Sequence, residues 1–182
     1  MTAIQDVPLK TITGDDAKLG DYAGKVLLVV NVASKCGLTP QYEGLEKLYA
    51  DKRTEGLVVL GFPANDFGAQ EPGTNDEIQS FCTANYGVDF PMFSKIAVTG
   101  PETHPLYKAL ISAHPDATSP TGEDFRARLK GYGMTPNPEP GILWNFEKFV
   151  VGRDGQVVGR FTPDTPPDSP VLLQSIDQAL AS

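Results

Sequence analysis

The stretch VLLVVNVASKCGLTP, residues 26–40, joins an apolar run to a cysteine and then to a threonine–proline pair. Residues 26–33 are apolar and rich in β-branched side chains, a pattern typical of a strand buried on both faces. Thr39 and Pro40 suit the N-cap and first position of a helix, so they predict that a helix begins there. Cys36 is therefore predicted to lie in a strand-to-helix turn.

The rest of the chain continues this alternation of strands and helices. Residues 57–62 form a second apolar run, which predicts another buried strand and a right-handed β-α-β unit. Thr74 and Glu77 form a capping-box pattern that starts a helix to about residue 85. The remaining predicted elements are a hairpin turning at residues 14–16, a helix over 104–113, a mostly irregular segment over 114–141, strands over 144–151 and 156–161, and a last helix over 168–180.

This order of elements predicts an α/β protein with a thioredoxin-like fold. A parallel pair of strands and a closing antiparallel hairpin require a mixed central sheet with helices on both faces, preceded by an N-terminal β-hairpin. In such sheets the working site lies beyond the carboxyl ends of the parallel strands, where Cys36 is found. The length of 182 residues favours a single domain over residues 1–182.

The composition excludes several classes of function. A net charge of −8 disfavours phosphate backbones and anionic membranes, so no nucleic-acid or membrane partner is expected. The longest apolar run, residues 26–30, is too short to span a bilayer. The first ten residues lack the pattern of a signal peptide. These two observations predict a cytoplasmic protein, and two cysteines in a cytoplasmic chain favour reactive or inert thiols over a structural disulfide.

Cys36 is the candidate nucleophile. The N-terminal end of the following helix, the small Gly37 and the positive charge of Lys35 all favour the thiolate, which is the reactive form of cysteine. A buried and inert cysteine is an equally good interpretation of this position taken alone.

Two other segments follow predicted strands or form part of one. GFPANDFGAQEPG, residues 61–73, begins where the second strand ends, and its Gln70 amide can donate hydrogen bonds without titrating. WNFEKF, residues 144–149, contains the only tryptophan, Trp144, followed by Asn145. Taken singly, the first segment is an ordinary loop and the second is a strand with aromatic core residues.

Together, NVASKCGLT, GFPANDFGAQEPG and WNFEKF resemble the motifs of glutathione peroxidases that have cysteine where other members have selenocysteine. The resemblance extends over about residues 5–180. It implies a thioredoxin-like fold and reduction of hydrogen peroxide and organic hydroperoxides. It also implies a catalytic tetrad of Cys36, Gln70, Trp144 and Asn145. No cofactor or metal is expected.

The resemblance also implies a role for Cys82. In members with two cysteines, the one at this position resolves the Cys36 sulfenic acid as a disulfide, which thioredoxin or glutathione then reduces. The helix of Cys82 must unwind locally if it holds the two cysteines apart. Binding of glutathione favours a basic rim, for which this acidic chain offers the scattered Lys35, Lys95 and Lys148, so thioredoxin is the expected reductant. Core packing is the alternative role of Cys82.

The second motif departs from the family pattern at two positions. Many members without selenium have Cys-Asn-Gln where this chain has Ala64, Asn65 and Asp66. Ala64 removes one potential thiol partner, and Asp66 adds a negative charge near the predicted site.

Three other functions share part of this pattern. A general thiol-disulfide oxidoreductase commonly uses Cys-x-x-Cys, but position 39 is Thr39. A peroxide sensor that passes its disulfide to another protein would use the same Cys36 and Cys82. A metal site of Cys36, Cys82, His104 and His114 matches no zinc spacing. A monomer or a weak dimer is expected.

Overall fold

The computed structural model describes residues 3–182, so Met1 and Thr2, the first residues of the predicted 1–182 domain, lie outside the described residues. The strands and helices, in chain order, are β1 (Leu9–Lys10), β2 (Asp16–Ala17), β3 (Val26–Val32), α1 (Gln41–Lys52), β4 (Leu57–Pro63), α2 (Asn75–Tyr86), α3 (Pro105–Ala113), α4 (Phe125–Gly131), β5 (Lys148–Val151), β6 (Val157–Phe161) and α5 (Pro170–Leu180).

The central sheet has four strands in the order β4-β3-β5-β6. β3 and β4 are parallel and in register from Val26 opposite Leu57 to Val32 opposite Pro63. β5 pairs antiparallel with both β3 and β6. β1 and β2 form a separate antiparallel hairpin. The predicted mixed sheet and N-terminal hairpin are confirmed, and the carboxyl ends of β3 and β4 lie side by side.

Helices cover both faces of this sheet, as predicted. Leu28 and Val30 on β3 share a hydrophobic core with apolar side chains of α1, α2 and α5. The alternate β3 residues Leu27 and Val29 pack with α3 on the opposite face. This alternation follows from the two-residue period of a strand, and it explains why β3 is apolar along its whole length.

Helix α4 lies in the segment that the sequence predicts as mostly irregular. The Asp124 carboxylate caps it by accepting a hydrogen bond from the backbone N–H of Arg126. Phe125 and Leu129, one turn apart, bury their side chains against Leu143. A cap followed by an i, i+4 apolar pair is a sequence signal for this helix, although the helix has only seven residues.

No helix within residues 3–182 has the length and apolar character needed to cross a membrane.

Candidate active site

Cys36 lies in a series of turns between β3 and α1 and is 8% exposed. The backbone N–H of Leu38 donates a hydrogen bond to Cys36 Sγ over 3.3 Å. The Thr39 hydroxyl accepts from the Cys36 N–H at 3.0 Å and donates to the Ala33 carbonyl at 2.7 Å. The sulfur is therefore held by its own loop, with one N–H group directed at it.

The predicted N-cap role of Thr39 is wrong. Helix α1 begins at Gln41, after Pro40, which makes no side-chain cap hydrogen bond. The Thr39 hydroxyl instead bonds to the Cys36 N–H and the Ala33 carbonyl, within the turn that precedes the helix. The favourable contact that the helix start was expected to give the sulfur comes instead from the N–H of the preceding turn.

Gln70 lies in the loop that follows β4, and backbone hydrogen bonds join this loop to the Cys36 turn. The Ala64 N–H donates to the Val32 carbonyl at 3.1 Å, and the Lys35 N–H donates to the Gln70 carbonyl at 3.0 Å. Ala69, directly before Gln70, has a φ of 51°, in the left-handed region. The sharp turn there brings the Gln70 backbone next to the residue that precedes Cys36.

Trp144 and Asn145 lie in a turn before β5 and not on a strand, so the predicted strand over residues 144–151 is too long. β5 begins at Lys148. Phe146 has a φ of 68°, which no regular strand allows. Asn31 holds this turn, because its side chain donates to the Trp144 carbonyl at 3.1 Å and its carbonyl accepts from the Phe146 N–H at 2.6 Å.

The two amides of the predicted tetrad are in direct contact. Asn145 Nδ2 donates a hydrogen bond to Gln70 Oε1 over 3.0 Å. Asn145 is fully buried, whereas Gln70 is partly exposed. Because the Gln70 oxygen accepts this bond, its NH₂ group is the end that can donate to a bound oxygen. The Trp144 ring lies 5.4 Å from the Phe67 ring, which belongs to the loop of Gln70.

Buried charged side chains bond to each other and to the backbone on both sides of the Trp144–Asn145 turn. Arg160 and Glu147 form an ion pair at 2.6 Å, both almost fully buried. The Glu147 carboxylate also accepts from the Leu143 N–H at 2.9 Å, just before Trp144. Lys148 Nζ donates to the Phe146 carbonyl at 2.6 Å and to the Pro163 carbonyl at 3.1 Å. The sequence patterns did not place Glu147 or Arg160 in the site, and they offered Lys148 only for a glutathione-binding rim.

Burial changes the titration of these charges. It lowers the pKa of Lys148 to about 7, against the opposing effects of Asp164 and Glu147. It also raises the pKa of Glu147, an effect that Arg160 opposes. Lys148 therefore cannot serve in a basic rim, because its side chain is inside the protein.

Cys82 is on α2 and only 1% exposed. Burial raises the pKa of its thiol to about 11; Tyr42 lowers that pKa, while Glu71 raises it further. Cys36 and Cys82 belong to the same core cluster, and both are free thiols. The second thiol is thus enclosed in a folded helix.

The two departures in the second motif have structural roles. Asp66 Oδ2 accepts a hydrogen bond from the Val98 N–H at 2.7 Å, so its charge fixes a neighbouring loop. Ala64 is fully buried in the core on the α3 face of the sheet.

The histidines of the alternative metal site are not grouped with the cysteines. His104 Nδ1 accepts from the Leu106 N–H at the start of α3. Within residues 3–182, no three His, Cys, Asp or Glu side chains are grouped to hold a metal ion.

Comparison with known proteins agrees with this geometry. The family model of glutathione peroxidase matches residues 4–111, more than half of the chain. The chain is 53% identical over 173 residues to the thioredoxin/glutathione peroxidase BtuE of Escherichia coli K12, covering 95% of this chain and 94% of that protein. The chain belongs to the glutathione peroxidase family.

Other members of the glutathione peroxidase family are similar over nearly as much of the chain. A glutathione peroxidase of Lactococcus lactis is 48% identical, covering 86% of this chain and 87% of that protein. The crystal structure of Trgpx in its apo form superimposes with a TM-score of 0.72 at 34% identity, covering 100% of this chain and 98% of that one. The predicted class, a thiol-dependent peroxidase with a thioredoxin-like fold, is confirmed.

Proposed function

We propose that Cys36 is the peroxidatic cysteine of this glutathione peroxidase and that Gln70, Trp144 and Asn145 complete its catalytic tetrad. The observation that carries the proposal is the 3.0 Å hydrogen bond between Asn145 and Gln70, in loops that meet beside the Cys36 turn. Neutral amide and indole donors suit a reaction in which negative charge moves from sulfur to oxygen, because they stabilise charge without titrating near neutral pH.

In the first step, the Cys36 thiolate attacks one oxygen of the hydroperoxide and breaks the O–O bond. The departing oxygen takes one proton and leaves as water or an alcohol, while Cys36 becomes a sulfenic acid. The sulfur is oxidised by two electrons and the peroxide is reduced by two. The NH₂ group of Gln70 is the donor left free to stabilise the departing oxygen, since the Gln70 oxygen accepts from Asn145.

In the second step, Cys82 attacks the Cys36 sulfenic acid and forms a disulfide, releasing water. Cys82 is 1% exposed on α2, and we propose that this helix opens locally when the disulfide forms. Disulfide formation requires Cα atoms within about 7 Å of each other, so the helix has to unwind if it holds the two cysteines farther apart than that. Exposure of the disulfide on opening also makes it available to an external reductant.

Thioredoxin is the proposed main reductant, with glutathione as the second candidate. The Escherichia coli relative carries both names. Of the three lysines that a glutathione rim could have used, Lys148 is buried and the Lys95 ammonium donates to the Glu71 carbonyl at 2.9 Å. Lys35 is the exposed one. One lysine on a chain of net charge −8 is a weak site for an anionic tripeptide.

We further propose a cytoplasmic, single-domain protein over residues 1–182 that is a monomer or a weak dimer and binds neither nucleic acid nor membrane. A pair of cysteines that is oxidised by peroxide and reduced again in each cycle suits a reducing compartment. In the described part of the chain, the large exposed apolar side chains are Tyr132, Met134 and Val158, which do not form an extensive patch. The net charge of −8 disfavours anionic polymers and lipids.

The test is peroxide-dependent oxidation of NADPH coupled to thioredoxin and thioredoxin reductase, repeated with glutathione and glutathione reductase. We expect turnover with thioredoxin that is lost in both Cys36→Ser and Cys82→Ser. Turnover that survives in Cys82→Ser with glutathione would limit the mechanism to one cysteine. If neither reductant supports turnover by the wild type, the proposal fails and a peroxide sensor becomes the leading alternative.

A further inference from the structure

A small pocket lies between the loop that follows β4 and the segment that follows α4. Its volume is about 170 Å³, and its apolar wall consists of Phe67, Leu129, Met134, Leu143 and Trp144. Pockets for drug-sized ligands have volumes of roughly 300–1,000 Å³, so this one suits a single short alkyl or aryl group. Reduction of hydrogen peroxide, which carries no such group, does not use this space.

The end of helix α4 forms one wall of the pocket. Gly133 has a φ of 77°, and its N–H donates to the Lys130 carbonyl at 2.9 Å, while the Met134 N–H donates to the Leu129 carbonyl at 3.0 Å. These two bonds are those of a Schellman motif, in which the residue after the left-handed glycine returns toward the last turn of the helix. Leu129 is buried and Met134 is 40% exposed, so Met134 lies at the open edge of the pocket.

Two members of the proposed tetrad border the pocket. Trp144 is part of its wall, and so is Gly68. The Gln70 side chain lies against Gly68, since a methyl group on Gly68 would be 3.4 Å from Gln70 Nε2. This NH₂ group is the donor left free for the departing oxygen, because the Gln70 oxygen accepts from Asn145. The pocket therefore adjoins the donor that would receive the leaving group.

The chemistry of an organic hydroperoxide determines where its carbon group must lie. The Cys36 thiolate attacks the terminal oxygen, the S–O bond forms and the O–O bond breaks, so the sulfur loses two electrons and the peroxide gains them. The departing oxygen keeps the carbon group, takes a proton from water and leaves as an alcohol. The carbon group is thus one bond away from the oxygen that the Gln70 NH₂ group receives, on the side where the pocket begins.

The charge of the pocket limits which carbon groups it can hold. Asp66 belongs to its wall and is exposed, and its carboxylate accepts from the Val98 N–H at 2.7 Å. Among the described residues that line the pocket, none is basic. Asn137 Nδ2 donates to Thr99 Oγ1 at 3.0 Å, so these two polar groups of the wall already bond to each other. An anionic carbon group would be repelled by Asp66 without a compensating cation.

We propose that this pocket binds the alkyl or aryl group of small, neutral organic hydroperoxides and thereby sets the selectivity of the enzyme among peroxides. This inference rests on the proposed roles of Cys36 and Gln70. Met134 and Leu129 supply apolar contact to the carbon group, and Asp66 disfavours carbon groups that carry a negative charge. Hydrogen peroxide gains nothing from the pocket.

The experiment measures the first chemical step alone, so that its result depends neither on Cys82 nor on the reductant. Reduced protein is mixed with a peroxide, samples are quenched with a thiol-alkylating reagent, and mass spectrometry gives the second-order rate constant for loss of the Cys36 thiol. The peroxides are hydrogen peroxide, tert-butyl hydroperoxide, cumene hydroperoxide and the para-carboxylate of cumene hydroperoxide.

The variants change the edge and the charge of the pocket at exposed positions. Met134→Ala removes the apolar edge, and Met134→Leu keeps its volume. Asp66→Asn removes the charge and keeps an oxygen that can accept from the Val98 N–H. Tyr132→Ala is the matched control, because Tyr132 is a large side chain of the same segment, 69% exposed, that does not line the pocket.

We expect Met134→Ala to lower the ratio of the rate constants for cumene hydroperoxide and hydrogen peroxide about three- to tenfold, because contact with the carbon group is lost. The loss should be smaller with tert-butyl hydroperoxide, which has less apolar surface. Met134→Leu and Tyr132→Ala should keep the wild-type ratio. Asp66→Asn should raise the rate constant for the carboxylate relative to cumene hydroperoxide about two- to fivefold, because a repulsive charge is removed.

Several results would overturn the inference. A wild-type ratio in Met134→Ala, or an equal fall of the ratio in Tyr132→Ala, would show that the pocket does not bind the carbon group. A wild-type preference against the carboxylate in Asp66→Asn would refute the selection for neutral groups. Both results leave the proposed function intact. A wild-type protein whose Cys36 thiol reacts with none of the peroxides would refute the proposed function and the pocket together.

Discussion

Asn145 donates its side-chain N–H to the Gln70 side-chain oxygen over 3.0 Å, and this one bond joins loops that are 75 residues apart in the chain. One loop follows β4 and the other precedes β5, the two strands that flank β3. Cys36 follows β3 itself. The bond therefore joins the two loops on either side of the Cys36 turn at the carboxyl end of β3. It also leaves the NH₂ group as the end of the Gln70 amide that can donate to a bound oxygen.

Gln70→Ala and Asn145→Ala should each lower the rate of sulfenic acid formation by about 10²-fold, a typical cost of removing one donor to a developing oxyanion. Because the two amides act as a unit, the double variant should be little slower than either single variant. Stopped-flow measurement with hydrogen peroxide gives the rates. Multiplicative losses in the double variant would show that the two amides act independently.

Thr39→Val should slow sulfenic acid formation by about tenfold or more, because it leaves the Cys36 N–H and the Ala33 carbonyl without their partner and loosens the turn that places the sulfur. It should also lower the free energy of unfolding by about 1–3 kcal/mol. Thr39→Ser keeps the hydroxyl and is the control. Similar losses in Thr39→Ser would assign the effect to the lost methyl group.

Arg160→Met should lower the free energy of unfolding in urea by about 3–5 kcal/mol, because it leaves Glu147 buried without its ionic partner. Arg160 also donates to the carbonyls of His114 and Pro115, so faster proteolysis near these residues is expected. Arg128→Met is the control, since Arg128 makes a half-exposed pair with Asp164. The control should cost less than about 1 kcal/mol. Equal costs would contradict the special role of the buried pair.

Lys148 should make the protein more stable as the pH rises above 7. Its pKa is about 7 in the folded protein against 10.5 for a free lysine. Between these values the unfolded chain holds a proton that the folded chain has released, so the free energy of unfolding rises with pH, by at most about 1.4 kcal/mol per unit. Lys148→Met should remove this rise between pH 7 and 9.

Urea denaturation at the two pH values measures the effect of Lys148. Lys25→Met, which removes one positive charge from the surface, is the matched control. A wild-type protein and a Lys148→Met variant with parallel pH dependence would contradict the lowered pKa.

Oxidation by one equivalent of peroxide should lower the hydrogen-exchange protection of α2, because Cys82 is enclosed while this helix is folded. Protection of α5, which contains no cysteine, should stay unchanged and serves as the internal reference. Cys82→Ser treated in the same way should keep α2 protected. Unchanged protection of α2 in the oxidised wild type would show that the disulfide forms without local unfolding.

Local patterns in the sequence predict most of the fold. The apolar runs of β3 and β4 are buried strands, and the capping box at Thr74 and Glu77 is formed at the start of α2. The boundary of β5 is different, because Phe146 has a left-handed backbone that no short-range pattern of apolar residues signals. Its conformation depends on Asn31, which is distant in sequence.

Long-range contacts also explain why the charged groups of the site are less predictable. Glu147, Lys148 and Arg160 are of residue types that are mostly exposed in proteins, yet all three are buried. Their burial depends on loops that pack against them from elsewhere in the chain. Arg160 donates to the Pro115 carbonyl, and Lys148 donates to the Pro163 carbonyl. Charged residues enter a core only with such partners, and the partners are far away in the chain.

Asn31 binds the Trp144 carbonyl and the Phe146 N–H, and the adjacent Val30 is paired with Lys148 across the sheet. An insertion of one residue between Trp144 and Lys148 must therefore break these bonds or turn every β5 side chain to the opposite face. An insertion within residues 114–141 lengthens a largely exposed segment and leaves the bonds between Asn31 and the Trp144–Phe146 turn intact. Natural length variation in homologous chains is therefore expected before Trp144 and not between Trp144 and β5.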